Sequence, residues 1–299
     1  MTVFSTPSHK VKIGRISYMN VAPIYFELDQ QNGSDWFDIL SAPPATLNHK
    51  MASGEIDVSP VSTAAYAEHQ DDWIILPDLS ISCDGPVMSV LLASRCTLKE
   101  LDGKSVVISD ESASAAALLR LIFMENGVKP VISCQKIDPD SGFLPDAEAV
   151  LVIGDTALNG KWQASYKYVW DLCGTWKAST GLPFVFALWA VRREFARKHP
   201  DRVSTTLEIL NQSKRQGCAN MSAITTALQN YSLLDLDILE RYFNGLQYDL
   251  DKEKLEGLQE FYLKLDQYEL IPAPVTLRFF KPSPCFRTEP CFSQACCRP

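Results

Sequence analysis

The stretch Ile13-Gly14-Arg15-Ile16-Ser17-Tyr18-Met19-Asn20-Val21-Ala22-Pro23 decides how the rest of the chain is read. An apolar, β-prone run ends in polar residues. A proline stands three positions after Asn20, ahead of Ile24, Tyr25 and Leu28 at helical spacing. Proline is tolerated in the first turn of a helix, because an amide hydrogen there has no intrahelical partner. The stretch therefore reads as strand, short turn and helix. In open α/β sheets ligands bind beyond the carboxyl ends of strands, where helix N-terminal amides also converge. Asn20 stands at such a place. An Asn there either touches a ligand or caps the turn, and the local sequence leaves both readings open.

Working outward, the pattern is of alternating strands and helices. A second strand is expected at 36–40, a helix over 43–51, and a strand at 55–62 that ends in Ser62 and runs directly into a helix at 63–69. Strands follow at 73–79, 89–93 and 104–109. The segment Asp110-Glu111-Ser112-Ala113-Ser114 has the capping character of a helix start, and that helix runs to about residue 125. Strands at 130–136, 149–153 and 184–191 come next, the last being the strongest apolar run in the chain. The remainder reads as helices over 200–216, 220–230, 236–244 and 252–268. Alternation followed by a helical end defines an α/β fold. Small hydroxyl residues recur where strands end or helices start: Ser17, Ser62, Ser89, Ser112, Ser114 and Thr180. Any one of them reads as a cap. Several at comparable places suggest a pocket for an anion.

Composition bounds the function. With 46% hydrophobic and 21% charged residues, the 299-residue chain is expected to be globular, with one large core or two ordinary ones. A net charge of −8 argues against nucleic acid and anionic membranes as partners. No apolar run has the length of a membrane span, and the first ten residues lack the apolar core of a secretory signal, so a cytoplasmic location is expected. Nine cysteines are present; Cys285, Cys291, Cys296 and Cys297 crowd the end, and no CxxC pair occurs. The segment 282–299 is expected to be a disordered tail rather than a metal site. The four histidines share no ligand spacing, and GxGxxG, P-loop, HExxH and GxSxG motifs are missing, so nucleotide, metal and serine-hydrolase chemistry have no support.

A set of motifs in fixed order resembles a known family. It comprises Ile16-Ser17-Tyr18-Met19-Asn20-Val21-Ala22-Pro23, Gly54-Glu55-Ile56-Asp57-Val58 with Val61-Ser62, and Gly85-Pro86-Val87-Met88-Ser89-Val90. Glu111-Ser112-Ala113-Ser114, Ile153-Gly154-Asp155-Thr156-Ala157-Leu158 and Thr180-Gly181-Leu182-Pro183-Phe184-Val185-Phe186-Ala187-Leu188-Trp189 complete it. Over roughly 11–271 the chain is similar to the menaquinone-biosynthesis chorismate dehydratases of the futalosine pathway. The resemblance implies a two-lobed, periplasmic-binding-protein-like α/β fold with the ligand between the lobes. It implies a discontinuous first lobe (11–92 plus 190–280) and an inserted second lobe (93–189). It further implies a lyase that removes water from chorismate, a small dianion, with no cofactor or metal, working as a monomer or homodimer. Asn20 would be catalytic, and Ser17, Ser62, Ser89, Ser112, Ser114, Asp155, Thr180, Gly181 and Pro183 would contact substrate. The family's Ser-x-Thr-Ser helix start departs here, because Ser114 replaces Thr and Ala115 replaces the last Ser. The helix-start amides remain, so one substrate carboxylate is expected at 112–115. A binding protein of the same fold that captures a small anion without reacting it is the alternative.

Overall fold

The computed structural model describes residues 10–30, 36–137, 144, 146–159, 162–232 and 234–282. The four clustered cysteines and all but the first residue of the expected tail lie outside them. The opening stretch folds as its sequence implies: β1 (Val11–Ile16), a single 3₁₀ turn at Met19–Val21, and α1 (Ala22–Gln30) with Pro23 in its first turn. Then come β2 (Phe37–Ala42), α2 (Pro44–Ala52), β3 (Val58–Ser62), α3 (Thr63–His69) and β4 (Trp73–Cys83). The chain continues through β5 (Val90–Ser94), β6 (Ser105–Ser109), α4 (Ala113–Glu125), β7 (Val131–Gln135), β8 (Ala149–Ile153), α5 (Gly154–Leu158), α6 (Trp162–Ser165), β9 (Tyr168–Asp171) and α7 (Leu172–Thr180). It closes with β10 (Phe184–Arg192), α8 (Arg193–Lys198), α9 (Pro200–Ala219), α10 (Met221–Gln229), α11 (Leu236–Gly245), β11 (Leu246–Gln247) and α12 (Lys252–Gln267).

Two mixed sheets result, with strand orders β11-β4-β10-β3-β1-β2 and β7-β6-β8-β5-β9. Within the first, β1 lies parallel to β2 and β3, and β10 is antiparallel to β3 and β4. In the second, β6 is parallel to β7 and β8, while β5 is antiparallel to β8 and β9. Both faces of the second sheet are covered, which is why β5 and β8 read as unbroken apolar runs rather than alternating ones. Val90, Leu92, Leu151 and Ile153 join the large core, and Leu91, Ala93, Val150 and Val152 join a smaller cluster with Trp162 and Tyr166.

The expected lobe boundaries after 92 and after 189 fall inside β5 and β10. Ladder hydrogen bonding places the whole of β5 in the second sheet and the whole of β10 in the first, so the chain passes between sheets at 84–89 and 181–183. An apolar run alone does not show which sheet claims it. The first crossover is tied down by Asp171, the N-cap of α7. Its carboxylate accepts the amides of Val87 (2.8 Å), Met88 (2.7 Å), Cys173 (3.0 Å) and Gly174 (3.0 Å). Burial pushes the Asp171 carboxyl pKa up, and those four amides pull it back. Trp176 of α7 packs edge-on against Phe184 (5.6 Å between ring centroids) and Phe261 (6.0 Å), so the core is continuous across both crossovers.

The helical end braces the first sheet. Helix α9 lies along α1, where Ser213 Oγ accepts the Glu27 amide at 3.0 Å. The approach is close enough that a β-carbon on Gly217 would stand 2.0 Å from the Pro23 carbonyl oxygen. Gly217→Ala gains about 1 kcal/mol of helix propensity. The clash is with backbone and costs about 1–3 kcal/mol. The variant is therefore expected to be less stable by up to about 2 kcal/mol in urea unfolding, with little change in the unfolding slope.

Candidate active site between the two sheets

The carboxyl ends of β1 and β3 face the helix starts of α4 and α5 across a narrow cavity. Ile16, Tyr18 and Asn20 line it from the first motif, Ser62 and Pro44 from the neighbouring βα units, and Ile81 from β4. Val87, Ser89 and Val90 come from the first crossover and β5, Ser112 from the start of α4, and Ile153 and Gly154 from the end of β8. Phe186 and Ala187 of β10, Tyr242 of α11 and Leu246 of β11 complete the wall. Three aromatic side chains (Tyr18, Phe186 and Tyr242) and several branched ones make the wall largely apolar. Three serines and Asn20 supply polar contacts. Among the described lining residues none is Asp, Glu, Lys, Arg or His.

Asn20 does not cap the 3₁₀ turn in which it sits; Tyr18 holds the N-cap position and makes no capping bond through its side chain. The Asn20 Oδ1 atom is buried without a hydrogen-bond partner. Leaving such an acceptor unmet costs about 1–3 kcal/mol. Ser62 and Ser112 both cap helices and line the cavity, accepting the amides of Ala65 (3.1 Å) and Ala115 (3.3 Å). Ser89 is buried on the cavity wall, and its carbonyl accepts the Gly154 amide at 2.8 Å.

Tyr18 closes one end of the cavity. Its Oη donates to Glu111 Oε2 at 2.9 Å, joining the two sheets' loops, and its ring lies over Gly154. Burial raises the Tyr18 pKa, and the Glu111 carboxylate raises it further. On the other side of Tyr18 is a more open pocket lined in part by Arg15, Ser17 and Asp155. Arg15 donates to Asp29 at 2.8 Å, while its Nε and Asp155 Oδ1 are buried without partners. Desolvation and then the Glu111 charge push the Asp155 carboxyl up to about 6.

Of the expected contacts, Asn20, Ser62, Ser89 and Ser112 come together on the inner cavity, and Ser17 and Asp155 line the outer pocket. Four are placed elsewhere. Ser114 is buried away from the cavity wall; its Oγ donates to the Phe186 carbonyl (2.8 Å) and lies 2.8 Å from Thr63 Oγ1. Thr180 turns back on its own helix, with Oγ1 donating to the Trp176 carbonyl at 2.8 Å and accepting the Leu182 amide at 3.1 Å. Gly181 takes the left-handed conformation (φ +73°) that ends α7, and the Pro183 carbonyl accepts Trp176 Nε1 at 3.2 Å. The Thr-Gly-x-Pro motif thus builds the second crossover rather than the cavity wall. Sequence reasoning missed Tyr18, Tyr242, Ile81, Val87 and Phe186 as lining residues. Tyr18 stood inside the opening motif, two positions from Asn20. Tyr242 lies on an amphipathic helix remote in sequence, where nothing distinguishes it from ordinary core.

Two sheets joined by two crossovers, with a cavity between them, define a two-lobed protein of the periplasmic-binding-protein type. A protein of Archaeoglobus fulgidus superposes with a TM-score of 0.69 at 19% identity, over 88% of this chain and 99% of that one. The periplasmic aliphatic sulphonate binding protein SsuA of Escherichia coli gives 0.64 at 15% identity, over 93% and 94%. The chain belongs to the family described as menaquinone biosynthesis, whose model matches residues 11–267. A chorismate dehydratase of Thermus thermophilus is 31% identical over 264 residues, 83% of this chain and 93% of that protein. One of Campylobacter jejuni is 24% identical over 197 residues, 62% of this chain and 73% of that protein.

Asp155 makes the stability of the unliganded protein depend on pH. The folded state holds its proton up to about pH 6, whereas the unfolded chain releases it near pH 4. The folded state therefore binds more protons inside that window, and stability falls as pH rises through it. Asp155→Asn should flatten this part of the profile. Melting temperatures taken at intervals from pH 4 to pH 7 are expected to fall less steeply for the variant than for the wild type.

Proposed function

We propose that this protein is a chorismate dehydratase: a lyase that converts chorismate to 3-[(1-carboxyvinyl)oxy]benzoate and water. The observation that carries this reading is the 31% identity to a chorismate dehydratase along 83% of the chain. The cavity supports it, being lined mainly by apolar side chains and furnished with neutral hydrogen-bonding groups. The compartment expected for such an enzyme is the cytoplasm.

The reaction removes the C3 proton and the C4 hydroxyl of a ring that becomes aromatic. The C3 hydrogen is conjugated through a double bond to the C1 carboxylate, so the electron pair left by its removal spreads towards that group. In this reading the hydroxyls of Ser62, Ser89 and Ser112, with the helix starts at Ser62 and Ser112, stabilise the developing charge. Fixed donors of this kind are effective because they need no reorganisation during the reaction. Among the described lining residues no carboxylate, His or Lys is present to take the proton. The reading therefore assigns it to the substrate's own enolpyruvyl carboxylate, held near C3 by its ether link. Departure of the C4 hydroxyl with a proton completes the loss of water. Asn20 orients the reacting groups, and the Tyr18–Glu111 contact keeps bulk water out while the lobes are closed.

Incubation of the purified protein with chorismate, followed by mass spectrometry, should show a product lighter by one water and carrying an aromatic ring. Asn20→Asp puts a negative charge where a dianion must sit, and should lower kcat/KM by at least about a hundredfold while the fold is kept. Wild-type turnover in that variant would remove Asn20 from the mechanism. Chorismate binding without loss of water would instead identify a binding protein.

A further inference from the structure

Asn48 stands on α2 one turn after Pro44, which lines the cavity, and its side chain reaches the end of β3. There it makes two contacts with one residue. Asn48 Oδ1 accepts the Ser62 backbone amide at 3.4 Å, and Asn48 Nδ2 donates to Ser62 Oγ at 3.4 Å. Both bonds are long, yet the groups at their ends allow one arrangement only. A backbone N–H donates and cannot accept, so it requires the carbonyl oxygen of the Asn48 side chain. The NH2 group is then the part left for Ser62 Oγ. That hydroxyl also accepts the Ala65 amide at 3.1 Å, as the N-cap of α3. Two donors fill its two lone pairs, and among the described residues its own proton meets no acceptor. Ser62 is 6% exposed and lines the cavity. Ser112, the other capping serine on the wall, accepts the Ala115 amide alone among the described residues, so it keeps a free lone pair.

We infer that Asn48 is a positioning residue: by filling the second lone pair of Ser62 it makes that hydroxyl a donor alone, with its proton reserved for a ligand carboxylate in the cavity. This rests on the reaction proposed above for the identity of the ligand, whose ring carboxylate gains charge as the C3 proton leaves. A hydroxyl with a free lone pair can turn aside, and each idle orientation lowers the fraction of molecules ready to react. One held as a donor needs no reorientation when the charge grows. It also sets a preference, because a ligand group that can only donate finds no partner at Ser62. The orientation is fixed by the backbone of β3 itself, whose last amide decides which way the Asn48 side chain must point.

The test is a pair of double-mutant cycles with Ser62→Ala. Asn48→Asp is nearly isosteric and keeps both contacts, because a carboxylate also accepts the Ser62 amide. It reverses the other bond: the Ser62 hydroxyl now donates to position 48, and its proton is withdrawn from the cavity. The variant should melt within about 4 °C of the wild type, while kcat/KM for chorismate falls about ten- to a hundredfold. In the Ser62→Ala background, where no hydroxyl can be turned, the same substitution should cost less than about threefold. A purely electrostatic or structural effect would act equally in both backgrounds, and equal losses would overturn the inference. Asn48→Ala frees the lone pair without adding charge. It should lower kcat about three- to tenfold with KM within about twofold, and change little once Ser62 is Ala. A second readout needs no turnover. Asn48→Asp should weaken benzoate binding about five- to tenfold with Ser62 present and less than about twofold with Ser62→Ala. This separates the two failures: absence of chorismate turnover sinks the proposed reaction, whereas equal weakening in both backgrounds, or a wild type that does not bind benzoate, sinks the role of Asn48. Should the variants unfold, the wild-type structure with benzoate decides. A carboxylate oxygen within hydrogen-bond reach of Ser62 Oγ supports the inference, and one placed elsewhere overturns it.

Discussion

One buried hydroxyl holds the two halves of the molecule in register. Ser114 starts α4 in the second lobe. Its proton goes to the Phe186 carbonyl of β10, and its oxygen lies 2.8 Å from Thr63 Oγ1 and 3.4 Å from the Ala64 amide at the start of α3. Thr63 in turn reaches the Val185 carbonyl at 3.2 Å, and the Thr63 carbonyl accepts from Tyr262 of α12 at 2.8 Å. Ser114, Thr63 and Tyr262 are all buried, so parting the lobes there exposes several polar atoms that must find water at once. The cavity is the space left between two sheets pinned at this point and at the Tyr18–Glu111 contact. Larger side chains in place of Ser114 or Thr63 would hold the lobes apart.

Pinning the lobes this way produces a cavity without ionised side chains on its described wall, in a chain of net charge −8. Long-range attraction cannot then draw in an anion. Binding depends on contacts made within the cleft, where low dielectric strengthens each hydrogen bond and penalises each one unmade. The orphaned polar atoms, Asn20 Oδ1 on the inner wall and Asp155 Oδ1 and Arg15 Nε beyond Tyr18, all lie close to the seam where the lobes meet. Unmet polar groups clustered there make the closed, unliganded arrangement less stable than the same arrangement with a ligand supplying partners. In the proposed reading, closure is thereby coupled to occupancy.

The strand–turn–helix at the start of the chain was legible because period-2 burial, a turn-forming polar run and a first-turn proline all agree within a dozen residues. Helix α3 and β8 were read with the ends they adopt, since capping residues or buried runs mark them sharply. Strand β9 was missed. Its four residues Tyr168–Asp171 are half-buried and carry no alternation, and it is defined by pairing with β5 rather than by composition. The inner half of the site was visible wherever a serine or asparagine ends a strand in a recurring motif. Tyr242 was not, because its place in the cavity is set by how α11 packs back across the sheets, some 220 residues after Asn20. Thr180, Gly181 and Pro183 form the second crossover and are not among the residues lining the inner cavity. A motif that must form a tight crossover is as constrained as one that touches a ligand.

The choice between a helix cap and a ligand contact, left open for each serine in the sequence, turns out not to be a choice. A serine hydroxyl has one proton to donate and two lone pairs to accept with. Capping uses a lone pair. Ser62 accepts from the Ala65 amide at 3.1 Å and from Asn48 Nδ2 at 3.4 Å, which occupies both lone pairs and leaves its proton uncommitted beside the cavity. Ser112 accepts from the Ala115 amide and likewise keeps its proton. Ser114 is the opposite case, because its proton is given to Phe186 and nothing remains to offer an anion. A strand that ends in a capping serine at a cavity thus presents a donor already oriented by the helix it starts. Repeated at β3 and before α4, the arrangement gives a neutral cleft a set of fixed donors without a charged side chain. The same device serves a binding protein and a lyase equally well. What favours the lyase is the likeness to a chorismate dehydratase along most of the chain.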